Sequence, residues 1–271
     1  MEKLRCGTDF SVLISNLNKM IQVEKISPPD DFKNDECQNI LVINQNIKIS
    51  SSLSLEEFLV HYYSPKLPVR IFDYMANAPC CDARKWSLTK FLNSFGNRSF
   101  PVEIGRDYTK TNWRQEIMTF DEFYTNYISK NSNQKSEIAY IAQFNIFQLI
   151  PELILDYPLP EYAQVSENKI EVNVYIGPAH TVTPFHFDKS DNILCQIYGC
   201  KKVYLIPPDD TLELVEGFTN NTSLSKAEML EKFSGQYIET NLFPGEVLYI
   251  PKKWWHYCES LTESISVSNW F

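Results

Sequence analysis

The chain has 271 residues, of which 44% are hydrophobic and 14% aromatic, so it is long and apolar enough to bury a sizeable core. Its net charge of −9 disfavours direct binding of nucleic acid, because neutralising phosphates requires a basic surface. With eight glycines and neither a GxGxxG motif nor a Walker-type loop, the sequence also argues against a nucleotide site built on a glycine-rich loop.

Residues 1–50 are predicted to form a helical extension followed by a polar linker. Apolar residues between positions 10 and 21 fall at helical spacing, and residues 27–39 are rich in turn formers. Residues 1–17 contain no long uncharged apolar run, so we expect neither a signal peptide nor a transmembrane helix, and no contact with a membrane. The seven cysteines form no CxxC pair, which is typical of reduced thiols, and together these features predict a nuclear or cytoplasmic protein.

The next hundred residues alternate between helical and strand-like patterns. Helices are predicted at residues 54–64, 85–96 and 118–130, and strands at 66–74 and 101–105. Residues 136–157 are predicted to begin as a strand and to become a helix or turn near Pro151. Two of the helices start with a capping-box pattern, Ser54 with Glu57 and Thr119 with Glu122, and the helix at 85–96 is expected to open near Ser87.

After residue 168 the pattern changes to the alternation of apolar and polar residues that is typical of β-strands. Strand-like runs occupy residues 171–178, 193–208 with a break at Gly199, 245–258 and 264–271. Residues 209–240 are polar and helix-prone, so they are predicted to be an insertion between strands. Helices first and short strands later predict an α+β chain that ends in a small β-sandwich or barrel.

A candidate metal site lies in the stretch TPFHFDKSDN, residues 183–192. His186 and Asp188 are two residues apart, so a strand would place both side chains on one face. With a second histidine they would form the 2-His-1-carboxylate facial triad of non-haem iron(II) oxygenases, which leaves coordination positions open. The other histidines of the chain are His61, His180 and His256. His256 ends an apolar strand pattern 70 residues beyond His186, which is compatible with a return to a neighbouring strand.

Polar groups that suit a dicarboxylate co-substrate surround this motif. Thr183 precedes His186 by three residues and Asn192 follows it by six. A cation must receive the distal carboxylate of such a co-substrate, and Lys201 and Lys202 stand at the start of the next apolar run. Burying an unpaired charge is costly, so one lysine is expected in the site and the other in solvent. Spacing alone does not choose between them.

Five blocks of the sequence resemble, in order, the JmjC (cupin-fold) Fe(II)/2-oxoglutarate oxygenases of the small JmjC-only type. The resemblance rests on TPFHFDKSDNILCQIYGCKKVYLIPP (183–208) and LFPGEVLYIPKKWWHYCESLTESISVSNWF (242–271), and extends upstream through residues 139–153, 101–113 and 67–74. It implies a double-stranded β-helix, the cupin or JmjC jelly roll, with N-terminal helices flanking it. The implied domains are an extension and linker at 1–50 and a catalytic domain at 51–271, with a β-helix core at about 137–271 and an insertion at about 209–240.

The resemblance also assigns roles to individual residues. The implied iron(II) ligands are His186, Asp188 and His256. The implied 2-oxoglutarate site comprises Lys201, Thr183 and Tyr140 at the C5 carboxylate, Asn192 near the metal, and Asn173 on the same inner face. The positions that line the substrate pocket in the arginyl-hydroxylase subgroup are Glu103, Trp113, Tyr175 and Trp270. Two residues depart from the pattern of this subgroup: Phe187 stands where glutamine is usual, and Lys189 where proline is usual.

The resemblance implies a 2-oxoglutarate-dependent dioxygenase that uses Fe(II) and O2 to hydroxylate a protein side chain, with arginine as the favoured target. Glu103 would neutralise the guanidinium, and the aromatic residues would stack on it; ordinary core packing is the alternative for the aromatic residues. Two other functions stay open, a histone N-methyl-lysine demethylase and a non-catalytic JmjC-fold scaffold that binds a protein. The acidic balance of the chain fits a basic protein or peptide substrate.

Overall fold

The computed structural model describes residues 47–50, 53–105, 112–129, 137–208, 221–222, 224–233 and 237–271. The predicted N-terminal helix and the first part of the predicted insertion lie outside these ranges. Within them, no helix combines the length and the apolar character needed to cross a membrane.

The helices of the described residues are short and lie mostly before residue 166. The α-helices are Leu55–Phe58 (α1), Leu88–Phe95 (α2), Phe120–Phe123 (α3), Ile146–Leu149 (α4) and Lys226–Lys232 (α5). Helices α1 and α3 continue as the π-helical segments Leu59–Tyr63 and Tyr124–Ile128. Single 3-10 helices lie at Pro79–Cys81, Pro151–Leu155 and Glu161–Val165.

The predicted helix starts are confirmed. Ser54 and Thr119 cap α1 and α3, and in each capping box the hydroxyl accepts the backbone N–H of Glu57 or Glu122 while that glutamate accepts the N–H of the cap residue. Ser87 caps α2 through its side chain. These local hydrogen bonds explain why helices this short start at defined residues.

Thirteen strands lie in the described residues. They are Lys48–Ser50 (β1), Val69–Ile71 (β2), Ser99–Ile104 (β3), Arg114–Thr119 (β4), Ala139–Phe144 (β5), Glu171–Gly177 (β6), Val182–Phe187 (β7), Asn192–Tyr198 (β8), Lys201–Ile206 (β9), Ile238–Leu242 (β10), Val247–Ile250 (β11), Trp255–Ser260 (β12) and Ser264–Trp270 (β13). Strand β4 lies where the sequence pattern predicts only the start of a helix at residue 118. It is the outermost strand of its sheet, and its first four side chains are all exposed, so it lacks the alternation that marks a half-buried strand.

The strands form two sheets. Nine strands follow the order β1-β2-β11-β8-β13-β6-β5-β3-β4, and four follow the order β10-β9-β12-β7. All pairings are antiparallel except β1 with β2. This arrangement agrees with the predicted double-stranded β-helix, a jelly roll of two facing sheets.

Apolar side chains cover both outer faces of the roll and fill part of its interior. The helices pack against the large sheet through buried rings such as Phe58, Trp86 and Phe120. Between the sheets, Leu194 and Leu205 belong to a separate apolar cluster. Polar residues occupy another part of the interior, and this is where the candidate site lies. Five of the seven cysteines fall in the described residues, and all five are free thiols.

Candidate active site

Three predicted ligands meet where β7 pairs with β12. His186 lies on β7, Asp188 directly follows that strand, and the pairing register sets His256 of β12 opposite His186. The Nε2 atom of His186 lies 3.7 Å from Oδ1 of Asp188, and the Nε2 atom of His256 lies 3.6 Å from Oδ2. One ligand atom from each residue falls within 4.8 Å of the others. In the described ranges, no other three histidine, cysteine or acidic side chains come together in this way.

Hydrogen bonds hold both imidazoles in the form that binds a metal. Nδ1 of His186 contacts the carbonyl oxygen of Pro184 at 2.9 Å, and Nδ1 of His256 contacts that of Trp254 at 2.9 Å. A carbonyl only accepts, so each Nδ1 donates a proton and each Nε2 keeps its lone pair for a cation. Burial, and then the neighbouring His256, lowers the pKa of His186 to about 4, which keeps this ring neutral at pH 7.

The turn that carries Asp188 is anchored by a residue that the sequence did not indicate. Asp191 is buried, and its carboxylate accepts hydrogen bonds from Lys66 at 2.8 Å, Tyr249 at 2.8 Å and the backbone N–H of Lys252 at 3.1 Å. These contacts tie the turn between β7 and β8 to two other segments of the chain, one at Lys66 and the other at the end of β11. Lone aspartates are common in turns, so no sequence signal distinguishes Asp191.

Lys201, and not Lys202, is the lysine inside the roll. Lys201 is 2% exposed and donates to the Tyr140 hydroxyl at 2.8 Å, whereas Lys202 points outward to Glu239 at 2.8 Å. Among the described residues, no carboxylate pairs with Lys201, and burial lowers its pKa to about 8. A buried cation without an anionic partner is costly, so this position favours an anionic ligand.

Tyr140 contacts this lysine directly, and two other predicted co-substrate residues share a cavity with it. Burial raises the pKa of Tyr140 well above the usual value, so its hydroxyl stays protonated. Thr183 and Asn192 line one cavity together with Lys201 and the three ligands, which we call the inner cavity. The Asn192 amide is held by β13, since it donates to the Ser268 hydroxyl at 3.3 Å and accepts the backbone N–H of Asn269 at 3.2 Å.

Asn173 is placed less directly. It lies on β6, on the same face as Tyr175, and its amide donates to Glu171 at 3.1 Å. Its side chain does not line the inner cavity, and it does not line the larger cavity next to it. A contact of Asn173 with the co-substrate therefore stays a prediction.

A second, larger cavity opens from the ligands toward β3 and β5, and we call it the outer cavity. It has a volume of about 410 Å³, within the usual range of small-ligand sites. Glu103, Trp113 and Tyr175 line it, as predicted positions of the substrate pocket. The indole of Trp113 donates to Glu103 at 3.4 Å, and burial raises the pKa of the Glu103 carboxyl. The fourth predicted position, Trp270, lies instead in the wall of the inner cavity.

Gln143 also lines the outer cavity and was not expected there. It lies in β5 at an irregularity of the pairing with β6, between Ile141 and Phe144. Its φ of 50° is in the left-handed region, which is unusual for a residue other than glycine. Bulges of this kind have no reliable sequence signal, because they depend on the pairing of distant strands.

The first departure from the subgroup pattern, Phe187, faces away from the ligands. Its ring packs edge-on against Trp255 with centroids 5.0 Å apart, and the Lys253 ammonium lies 4.4 Å from the ring centre. The side chain belongs to the apolar cluster on the outer face of the small sheet. Phenylalanine at this position therefore leaves the ligand set unchanged.

The sequence matches a known family and several known proteins. The model of the family described as "Cupin-like domain" matches residues 55–271. The chain is 38% identical over 238 residues to "Lysine-specific demethylase JMJ30" of Arabidopsis thaliana, covering 84% of this chain and 55% of that protein. It is 39% identical over 230 residues to "Lysine-specific demethylase 8" of Xenopus tropicalis, covering 80% and 51%.

A third relative carries a name without a stated activity. "Jumonji C domain-containing protein 5" of Drosophila melanogaster is 33% identical over 233 residues, covering 80% of this chain and 58% of that protein. The chain thus spans about half the length of the curated relatives that it matches.

Proposed function

Because the chain belongs to the cupin-like family of JmjC proteins, we propose that it is an Fe(II)- and 2-oxoglutarate-dependent oxygenase that hydroxylates a protein side chain, with arginine as the target residue. The relatives support the oxygenase class, and the choice of arginine rests on the cavities of this chain. We further propose a basic protein or peptide as its partner, in the nucleus or cytoplasm.

The observation that carries the proposal is the position of two charged groups on either side of the ligands, Lys201, which is buried, and Glu103, which is half-buried. Lys201 lies in the inner cavity and Glu103 in the outer cavity, and His186 and Asp188 line both. Neither charged group has an oppositely charged partner among the described residues. The site therefore suits an anion on one side of the metal and a cation on the other. A 2-oxo dicarboxylate and a cationic side chain satisfy these two requirements.

The residues of the site fit the cofactor by their donor atoms. His186, Asp188 and His256 would hold Fe(II), which with 2-oxoglutarate and O2 supplies oxidation of a C–H bond, releasing succinate and CO2. Lys201 and Tyr140 would bind the distal carboxylate of the co-substrate, since an ammonium and a protonated phenol both donate hydrogen bonds. The buried walls on this side exclude water from the reacting groups.

The residues that line the outer cavity support arginine as the target, because they offer a carboxylate and aromatic rings to a guanidinium. The Glu103 carboxylate can accept two parallel N–H bonds from a guanidinium, and the rings of Trp113 and Tyr175 present flat surfaces on which a guanidinium stacks. N-Methyl-lysine is the second candidate, favoured by the names of two relatives, both described as lysine-specific demethylases. A methylated ammonium has fewer N–H groups and gains less from a carboxylate than a guanidinium does.

Mass spectrometry of peptides tests the proposal. Purified protein, Fe(II), 2-oxoglutarate and O2 are expected to add one oxygen atom to an arginine in basic peptides, with succinate formed alongside. Matched peptides with lysine in place of that arginine are expected to stay unmodified. Loss of methyl groups from N-methyl-lysine peptides, without a gain of oxygen on arginine, would instead establish the second candidate. If neither peptide class reacts nor stimulates succinate formation, the proposed function is wrong.

The variant Glu103→Gln is expected to weaken binding of the arginine peptide. Its amide keeps the size of the side chain but loses the charge, and a hydrogen bond to a charged group contributes about 1.5–3 kcal/mol, so KM should rise by roughly 10- to 100-fold. Steady-state kinetics would measure this change, with the dissociation constant of 2-oxoglutarate unchanged. Glu116→Gln removes the same charge from exposed strand β4 and serves as the control. Equal KM values for the two variants would contradict the role of Glu103.

A further inference from the structure

The end of β13 contacts the acidic ligand directly. The indole N–H of Trp270 donates to Oδ2 of Asp188 at 2.8 Å, a distance typical of a strong hydrogen bond to a carboxylate. This contact differs from the substrate contact that the family resemblance implies for Trp270. It makes the indole a neighbour of the proposed metal ligand.

The two oxygens of the Asp188 carboxylate consequently have different surroundings. Oδ2 accepts the indole N–H and lies 3.6 Å from Nε2 of His256. Oδ1 lies 3.7 Å from Nε2 of His186, and no hydrogen-bond donor from the described residues reaches it. Since Nδ1 of His186 donates to the Pro184 carbonyl, its Nε2 carries no proton and cannot donate to Oδ1. Oδ1 is therefore the oxygen left for a cation.

The indole itself is fixed at several points. Trp270 packs against the buried cluster of Tyr140, Ala142 and Tyr175. The register of β13 sets Trp270 opposite Asn192 of β8, and the next residue, Phe271, donates its backbone N–H to the carbonyl of Asp191 at 3.0 Å. The last two residues of the chain thus hold both ends of the turn between Asp188 and Asn192. A donor held in this way can fix the rotation of the carboxylate that it contacts.

We propose that Trp270 is a positioning residue that orients Asp188, so that the carboxylate presents Oδ1 to the metal while Oδ2 stays occupied by the indole. This inference rests on the proposed Fe(II) site. A facial triad needs three protein ligand atoms, which leaves the remaining positions of an octahedral ion for a chelating co-substrate and O2. A carboxylate free to turn would lose part of this preorganisation. Groups that orient a ligand in this manner typically contribute about 10- to 100-fold to metal affinity.

Binding of Mn(II), a redox-stable probe of the site, tests this role in Trp270→Phe. The phenyl ring keeps the packing of the cluster but has no N–H. The dissociation constant of Mn(II), measured by titration calorimetry on the metal-free protein, is expected to rise by about 10- to 100-fold. The charge-transfer band of the Fe(II)–2-oxoglutarate complex is expected to shift, because the ligand field of the carboxylate changes. A role confined to packing would change neither reading.

Trp113→Phe is the matched control, because it removes the other cavity indole, which donates to Glu103. We expect it to keep the native Mn(II) affinity. A native affinity and a native band in Trp270→Phe would overturn the inference and leave the proposed function intact. Failure of the native protein to bind Mn(II) would instead count against the Fe(II) site itself, so the two failures are distinguishable.

A second measurement keeps the inference testable if Trp270→Phe does not fold. In the native protein, the indole N–H resonance of Trp270 reports its hydrogen bond directly. On addition of Zn(II), a diamagnetic ion, this N–H is expected to remain protected from exchange with solvent, because its partner oxygen is not the one that binds the ion. Loss of protection on binding of Zn(II) would show that the indole had released Oδ2, and the inference would be wrong.

Discussion

The variant His186→Ala is expected to lose Fe(II) binding and the absorption band that appears when 2-oxoglutarate chelates Fe(II). His186 supplies one of three ligand atoms that lie within 4.8 Å of one another, and alanine offers no replacement. Loss of a residue that only orients a ligand already lowers the metal affinity by about 10- to 100-fold. Loss of a ligand itself should therefore lower the metal affinity by more than about 100-fold. Anaerobic titration with Fe(II), followed by addition of 2-oxoglutarate, would measure both effects.

His180→Ala is the control for this experiment. His180 lies six residues before His186, but its side chain is 68% exposed and points to Glu259, with 4.0 Å between the nearest atoms. It should keep the native band. Survival of the band in His186→Ala, or its absence from the native protein, would contradict the assignment of the metal ligands.

The variant Lys201→Met is expected to lose most of its affinity for 2-oxoglutarate while keeping Fe(II). Methionine matches the length and apolar stem of lysine but has no charge, so the distal carboxylate would be buried without a cation. Breaking a buried ion pair by removing one partner costs about 3–5 kcal/mol, which corresponds to a rise of roughly 150- to 4,000-fold in the dissociation constant. Displacement titrations with 2-oxoglutarate in the presence of Mn(II) would measure it.

The pH dependence of the native protein provides a second reading of the same lysine. Burial lowers the pKa of Lys201 from 10.5 to about 8, so the free site loses its positive charge as the pH rises through about 8. A bound carboxylate favours the protonated form, so 2-oxoglutarate affinity should fall above pH 8 by up to about tenfold per pH unit.

The effect of the same lysine on the stability of the fold changes with pH in the opposite direction. The unfolded chain binds more protons between pH 8 and 10.5, so this group destabilises the metal-free protein at pH 7 and does so less as the pH rises.

Lys202→Met is the matched control for Lys201→Met. It removes the adjacent charge, which lies on the outer side of the same strand and pairs with Glu239. Native affinity for 2-oxoglutarate is expected, with the fall above pH 8 retained. Equal affinities in the two lysine variants, or no pH dependence in the native protein, would show that Lys201 does not bind the co-substrate.

The parts of the site that depend only on the two-residue period of a β-strand were predictable from the sequence. His186 and Asp188 share a face because they are two residues apart on a strand. The choice between Lys201 and Lys202 was not predictable in this way. Both faces of β9 are buried, one in the roll and the other beneath α5, so apolar residues follow each lysine and the pattern is the same for both. Only the pairing with β10 and β12 separates them.

Features created by distant pairing were also beyond the local pattern. His256 joins His186 because β12 pairs with β7, and that pairing was inferred from family resemblance and not from spacing. The irregularity at Gln143 arises in the pairing of β5 with β6. The Trp270 contact with Asp188 likewise needs the register of β13 against β8. Sequence period fixes which side chains share a face, but it does not state which strand lies next to which.

The position of β7 at the edge of the four-stranded sheet has a consequence for the metal-free protein. Within the part of the chain that the structure describes, this strand pairs along its length with β12 and otherwise makes a single bridge, from His186 to Asn221. Edge strands open more readily than strands with two neighbours, so the two histidines would part whenever β7 frays. A bound metal would join the two strands by coordination. A ligand stabilises the state that binds it. The supply of iron would therefore set how often β7 separates from β12 and becomes accessible to proteases and chaperones, as well as how much of the protein is active.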